Sequence, residues 1–364
     1  MAKNIFRKEL KDLKPYIPGK PVEKVMEEYG LTEVVKLASN ENPLGPSKLA
    51  IEAIIDEAPH VNIYPDPSVD MVKEKLMQNH GFPKEQIIIG NGGEEIIKMI
   101  AMTFIDEGDE AVMADPTFSL YDITISHMGG VSKKIPLKDF ETDLDAMIEA
   151  INEKTKLVYL CNPNNPIGNI TTKDKLDNFV DKIPEDVVLV LDEAYFEYAR
   201  RNIEYPDGLE VLKRRPNTIV LRTFAKIAGL AGLRIGYAFS SEEIITEMAK
   251  TKGVFNVNRI AQVAAAAAMD DKEHIKNTVD LSYESIGYMT DYFESKGLNY
   301  IKTSANFIFV DLGIDSKQAF VDLQKKGMIM RPGFIWGYDT WARISSGSME
   351  DTIKFMAALD EIIG

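Results

Sequence analysis

The sequence predicts an α/β protein: a large domain with a mostly parallel sheet flanked by helices, plus a smaller α/β domain. Three observations predict it. From residue 86 onward, short β-rich runs alternate with stretches of helical spacing, the pattern of crossover units. A chain of 364 residues is longer than one hydrophobic core usually serves. After about residue 255 the pattern changes, with helical stretches followed by a few short strands.

The elements follow in order. PVEKVMEEYG, after the proline-marked turn LKPYIPGKP, is a short amphipathic helix. It lies in an N-terminal arm, residues 1–45, too small to fold alone and expected to pack on the small domain. The large domain is expected over 46–255. Its strands are QIIIG, EAVMA, KLVYL, VVLVL and TIVLR, and its helices include 94–105 and 172–183. The small domain is expected over 256–364, with helices over 259–296 and 316–326 and the strands NFIFVDL and MIMRP. The alanine run AQVAAAAAMD is too short to span a bilayer and reads as a close-packed helix.

With 42 Lys plus Arg against 57 Asp plus Glu, the net charge of -15 repels nucleic acid and anionic membranes. An anionic ligand therefore needs local cations. The one cysteine, Cys161, excludes an intramolecular disulfide, and no signal-like apolar run follows the charged first residues, so a cytoplasmic location is expected. Four scattered histidines lack ligand spacing, so no metal site is expected. GNGGEE lacks the spacing of a nicotinamide-binding turn.

In open parallel sheets ligands collect beyond the carboxyl ends of strands. QIII is followed by Gly90, Gly92 and Gly93 and a helix opening at Glu94, whose free N–H groups suit a phosphate. VVLVL is followed by Asp192, with Tyr195 three residues on; alone, the aspartate reads as a helix cap. KLVYL is followed by CNPNNPIG, where prolines stiffen the backbone around Asn162, Asn164 and Asn165. TIVLR is followed by TFAKIAGLAGLRIGYA. There Lys226 sits among apolar neighbours, which lowers an amine's pKa and makes it nucleophilic, with Thr223 and Arg234 close by for an anion. A lysine nucleophile, an aspartate, a phenol, an amide and a phosphate cradle are the groups that pyridoxal 5′-phosphate needs. Lys226 would join its carbonyl and later move a proton. Asp192 would hold the ring nitrogen protonated, Tyr195 and Asn165 would bond the ring oxygen, and Phe118 would stack on the ring.

NPNNPIG, LDEAY, TFAKIAGLAGLRIGYA and KLASNENPLGPS together resemble the fold-type I aminotransferases, within them the histidinol-phosphate aminotransferase branch. The resemblance runs from LKPYIPGKP to ARISSGSMED. It implies pyridoxal phosphate bound covalently at Lys226, with Asp192, Tyr195 and Asn165 in the roles above. It gives the cofactor phosphate to Gly93, Glu94, Thr223, Arg234 and, from a neighbouring subunit, Tyr64, which implies a homodimer with shared sites. It gives the substrate site Tyr16, Asn42, Arg331 and Arg343. The chain departs from the branch at Ala225, Glu94 and Ile167, where serine, aspartate and threonine are usual, and in the WARISSGS stretch. The implied reaction moves an amino group from L-histidinol phosphate to 2-oxoglutarate. An aromatic amino acid aminotransferase, a decarboxylating relative and a noncatalytic cofactor-binding domain are the alternatives.

Overall fold

A computed structural model describes residues 5–10 and 20–364. The first strand, β1 (Val35–Lys36), belongs to a small pairing taken up below. The main sheet holds seven strands among the described residues: β2 (Ile87–Gly90), β3 (Glu110–Asp115), β4 (Val131–Pro136), β5 (Thr155–Cys161), β6 (Val188–Asp192), β7 (Thr218–Thr223) and β8 (Gly236–Phe239). Their order is β2-β8-β7-β6-β5-β3-β4. Within this sheet β8 alone runs against the direction of the other strands, antiparallel to both β2 and β7.

Helices cover both faces, so the central strands are apolar almost throughout, and the two-residue period divides their side chains between two cores. Val158, Leu160, Leu189, Leu191 and Val220 face one core. Leu157, Tyr159, Val188, Val190, Ile219 and Leu221 face the other. Continuing that alternation to the strand ends puts Cys161, Asp192 and Thr223 on the second face, the side covered by the helix Gly92–Phe104.

A four-stranded antiparallel sheet comprises β9 (Tyr300–Ile301), β10 (Phe307–Asp311), β12 (Arg331–Pro332) and β13 (Trp341–Ser345), in the order β12-β13-β10-β9. Between them β11 (Met328–Ile329) pairs in parallel with β1. The helices Lys272–Lys296, Ser316–Lys325 and Met349–Ile363 supply side chains to a separate core on this sheet.

The units divide differently from the expected boundaries. The helix Arg259–Ala268 contributes Ala261, Ala264, Ala265 and Ala268 to the main-sheet core. Its small side chains let it lie close to the helix Lys48–Glu57. The boundary expected at 255 therefore precedes the change of core, which falls within the helix Lys272–Lys296, between Val279 and Ile286. The N-terminal arm is shared as well. Its helix Val22–Tyr29 and β1 lie on the four-stranded unit. Arg7, by contrast, donates to the His127 carbonyl, and Lys8 pairs with Glu107, both of the main-sheet unit.

Candidate active site

The loop from β7 to β8 positions Lys226, and its glycines are there for close approach. Gly229 has φ +68°, and a side chain on it would collide with the Gly45 carbonyl. A Cβ on Gly236 would stand 2.7 Å from the Gly93 nitrogen. The lysine loop is thus clamped between the NPLGP turn and the glycine turn after β2. Lys226 Nζ donates to the Ser39 carbonyl at 2.8 Å. Burial, assisted by the Arg343 charge, lowers its pKa to about 8.

Asp192 is buried at the end of β6. Its Oδ2 accepts from the Tyr121 hydroxyl at 2.6 Å and its Oδ1 from the Ala194 N–H at 3.0 Å. Burial raises its pKa, and those two bonds oppose the rise. Tyr121 is itself fixed by stacking on Tyr159, with ring centroids 4.5 Å apart. The Tyr195 hydroxyl accepts from Asn40 Nδ2 at 2.9 Å and from Asn165 Nδ2 at 3.3 Å. Burial keeps this phenol protonated well above its ordinary range. On the opposite face of the sheet, Arg222 forms a buried pair with Glu193 and ties the ends of β6 and β7 together.

Gly92, with φ +78°, opens the helix Gly92–Phe104, and a Cβ there would stand 2.6 Å from an Arg234 terminal nitrogen. The positive φ favours glycine at this position, and the bare Cα leaves room for the guanidinium beside this helix N-terminus, where free N–H groups and the helix dipole favour an anion. The Glu94 carboxylate accepts from Lys98 at 2.7 Å through Oε1, while its Oε2 stands 3.9 Å from the Arg234 guanidinium. Thr223 Oγ1 accepts from the Ala225 N–H at 3.0 Å.

The four-stranded sheet closes the cavity from the other side. Arg331 and Arg343 are register partners on β12 and β13. Arg343 is buried, donates to Asn165 Oδ1 and to the Ala38 carbonyl, and lies between the rings of Phe307 and Trp336, 5.2 and 5.5 Å from their centroids. The cavity between them has a volume of about 470 Å³ and opens to solvent.

Gly93, Glu94, Phe118 and Asn165 line this cavity, as do Asp192, Tyr195 and Thr223. So do Lys226 and the arginines Arg234, Arg331 and Arg343. Three expected residues stand apart. Tyr64, expected to serve a neighbouring subunit's site, is exposed and stacks on Phe255 at 4.5 Å, outside this chain's own cavity. Tyr16 lies outside the described residues. Asn42 is absent from the lining because its atoms are committed elsewhere: Nδ2 donates to the Ile227 carbonyl and Thr278, and Oδ1 accepts from the Leu44 N–H. It braces the lysine loop, while Asn40, two residues earlier, lines the cavity.

Sequence reasoning missed Asn40, Tyr121 and Trp336. Tyr121 lies three residues after Phe118, so spacing could have found it; Asn40 lies in the quoted KLASNENP stretch beside Asn42, and spacing does not separate the two. Trp336 carries no local signal.

The donor set fits pyridoxal phosphate. A buried carboxylate, anchored at both oxygens and raised in pKa by desolvation, suits a protonated ring nitrogen. The Gly92–Arg234 cradle, which a side chain would fill, suits a phosphate.

Comparison with known proteins agrees. The family described as aminotransferase class I and II matches residues 32–359. Histidinol-phosphate aminotransferase 2 of Carboxydothermus hydrogenoformans is 46% identical over 359 residues, 99% of each chain. The histidinol-phosphate aminotransferase of Moorella thermoacetica is 46% identical over 98% of this chain and 92% of its own. The histidinol-phosphate aminotransferase of Sinorhizobium meliloti, solved in complex with pyridoxal-5′-phosphate, superposes with a TM-score of 0.91 at 29% identity, covering 100% of this chain and 98% of that one.

Proposed function

The chain belongs to the class I and II aminotransferases, and from that membership we propose that it transfers the amino group of L-histidinol phosphate to 2-oxoglutarate. The products are imidazole acetol phosphate and L-glutamate, a step of histidine biosynthesis. One observation carries the reading: a desolvated lysine, a buried carboxylate and two arginines from a facing sheet line the same cavity. The names of the relatives supply the substrate.

Pyridoxal phosphate, when bound, supplies an aldehyde carbon to which amines add and a ring that accepts the electrons released when the donor carbon loses its proton. Lys226 Nζ is half free base near pH 8, the form that adds to a carbonyl, and the same nitrogen can take the donor proton and return it. Asp192 would hold a proton at the ring nitrogen, its carboxylate kept from turning by Tyr121. The Tyr195 phenol and the Asn165 amide would hydrogen-bond the ring oxygen. Gly93 and Glu94 N–H groups, Thr223 and Arg234 would hold the phosphate. Arg343 and Arg331 take the substrate's anionic groups, a carboxylate of glutamate or the phosphate of the donor, because a guanidinium fork fits either.

We include in the proposal a homodimer in the cytoplasm. Among the described residues no helix is long and apolar enough to cross a membrane. Exposed Val61, Ile63, Tyr64, Val254 and Phe255 form an apolar patch suited to a second subunit. The substrate assignment is tested by single-turnover absorbance spectra of the holoenzyme with histidinol phosphate, glutamate, phenylalanine and tyrosine. Histidinol phosphate and glutamate should convert fastest. Faster conversion of phenylalanine or tyrosine than of histidinol phosphate would replace this reading with an aromatic aminotransferase.

A further inference from the structure

The segment Lys138–Glu141 makes a two-residue hairpin turn on the main-sheet unit, with the Lys138 and Glu141 backbones exchanging two 2.9 Å hydrogen bonds. Both central residues have positive φ, 51° at Asp139 and 64° at Phe140. Turns of this kind strongly favour Asn-Gly or Asp-Gly, because a bulky side chain at positive φ is strained. The chain follows the preference at Asp139 and breaks it at Phe140, so the ring at that position answers to something other than the turn.

The ring has a seat. Phe140 stacks on Tyr338 at 5.4 Å and 26°, lies 4.6 Å from Trp341, and meets Phe309 edge-on at 6.4 Å. All three partners belong to the four-stranded unit. Phe309 and Trp341 also stack on each other at 5.0 Å. The turn is fastened at Phe140 itself, since Asn169 Nδ2 donates to the Phe140 carbonyl at 2.9 Å, and Asn169 closes the same loop that carries Asn165.

The seat adjoins the arginines. Phe309 is the register partner of Arg343, Trp341 lies two residues before Arg343 on the same strand face, and Trp336 packs against both Phe309 and the Arg343 guanidinium. We propose that Phe140 is a positioning residue for substrate anions: its ring, held out on a strained turn of the main-sheet unit, plugs the aromatic box of the four-stranded unit and fixes Arg343 and Arg331 over the lysine-bearing sheet. It touches neither cofactor nor reacting atoms. The inference deepens the transaminase reading only in assuming that both substrates are captured through anions.

The chain contains two tryptophans, Trp336 and Trp341, and both stand at this box, so intrinsic emission reports on it directly. The test titrates the holoenzyme with succinate, an unreactive dicarboxylate, following tryptophan emission, and measures the glutamate half-reaction by absorbance. In Phe140→Ala, emission before ligand should move to longer wavelength as Trp341 loses its cover. The succinate Kd and glutamate KM should each rise about tenfold while the saturating rate changes by less than about twofold. Phe140→Leu, which keeps most of the volume without the ring, should show a smaller rise in Kd and guards against a variant that fails to fold. An unchanged succinate Kd in either folded variant overturns the proposal, as does a fall in saturating rate with Kd intact. A different preferred donor in wild-type enzyme would sink the substrate assignment while leaving the succinate result standing, so the two failures are distinguishable.

Discussion

The carboxyl ends of β5, β6 and β7 and the facing surface of β10, β12 and β13 build one cavity by different means. On the main sheet each polar group is held by neighbours near in sequence or by a direct hydrogen bond: Asp192 by the Ala194 N–H and Tyr121, Thr223 by Ala225, Arg234 against Gly92. On the four-stranded sheet the key charge, Arg343, adds to its hydrogen bonds with Asn165 Oδ1 and the Ala38 carbonyl a seat against two aromatic rings, and its wall is braced by a phenyl group from the other unit. Hydrogen bonds are directional and fix angles; ring packing is broad and fixes mainly distance. The first region therefore suits a resident cofactor whose reacting atoms must not move, and the second suits two substrates of different shape that share only negative charge.

Variants that separate the two regions test this contrast, and the largest effect belongs to the cofactor side. Lys226→Ala removes the desolvated amine of the cavity and should lower turnover by at least about a thousandfold. Borohydride-treated wild type should carry the label on the peptide containing Lys226, and a label on another lysine would undo the assignment. Mixing this variant with Tyr64→Phe chains extends the test across the proposed dimer. Heterodimers would hold one site with both lesions and one with neither, and activity above either parent is expected. Absence of complementation counts against a shared site.

Asp192→Asn comes next. An amide cannot stabilise a proton at the ring nitrogen by charge, so the half-reaction should slow about a hundredfold. Cofactor retention should suffer less, because a charge-assisted hydrogen bond is worth only about 1.5–3 kcal/mol. Normal speed in this variant would reduce Asp192 to a structural cap.

The same contrast explains what the sequence made legible. Period-two alternation in VVLVLD and TIVLRT, counted from the buried runs, is enough to put Asp192 and Thr223 on one face of the sheet, and NPNNPIG and the lysine loop announce themselves by dense turn chemistry. The strand β8 stayed hidden because its four residues follow directly on the lysine loop and run against the direction of the crossover units. Asn40 and Asn42 could not be told apart because the choice rests on backbone direction, φ 55° at Asn40, which composition does not encode. The expected boundary at 255 differs from the change of core because the helix Arg259–Ala268, whose small side chains give little local signal of a partner, packs on Lys48–Glu57 and the main-sheet core. Phe140 was invisible for a related reason. KDFE reads as an ordinary polar turn, and its role appears only when a second sheet is brought against it.

The smallest expected effect isolates that last feature. Asp139 is exposed and sits at φ 51° beside the strained Phe140. Asp139→Gly removes its share of the left-handed penalty and keeps the ring, against which the extra freedom of glycine in the unfolded chain works. Aspartate tolerates this conformation better than most residues, so the net gain should be about 0.5 kcal/mol, measured as a shift in the denaturant midpoint at constant slope. Substrate KM should not move. Phe140→Gly relaxes the backbone at the neighbouring position but empties the aromatic box, so its KM should rise as in Phe140→Ala whatever happens to its stability. If Asp139→Gly raised KM as much as Phe140→Gly, the strained backbone rather than the ring would be setting the arginines, and the four-stranded face would prove as directionally fixed as the cofactor side.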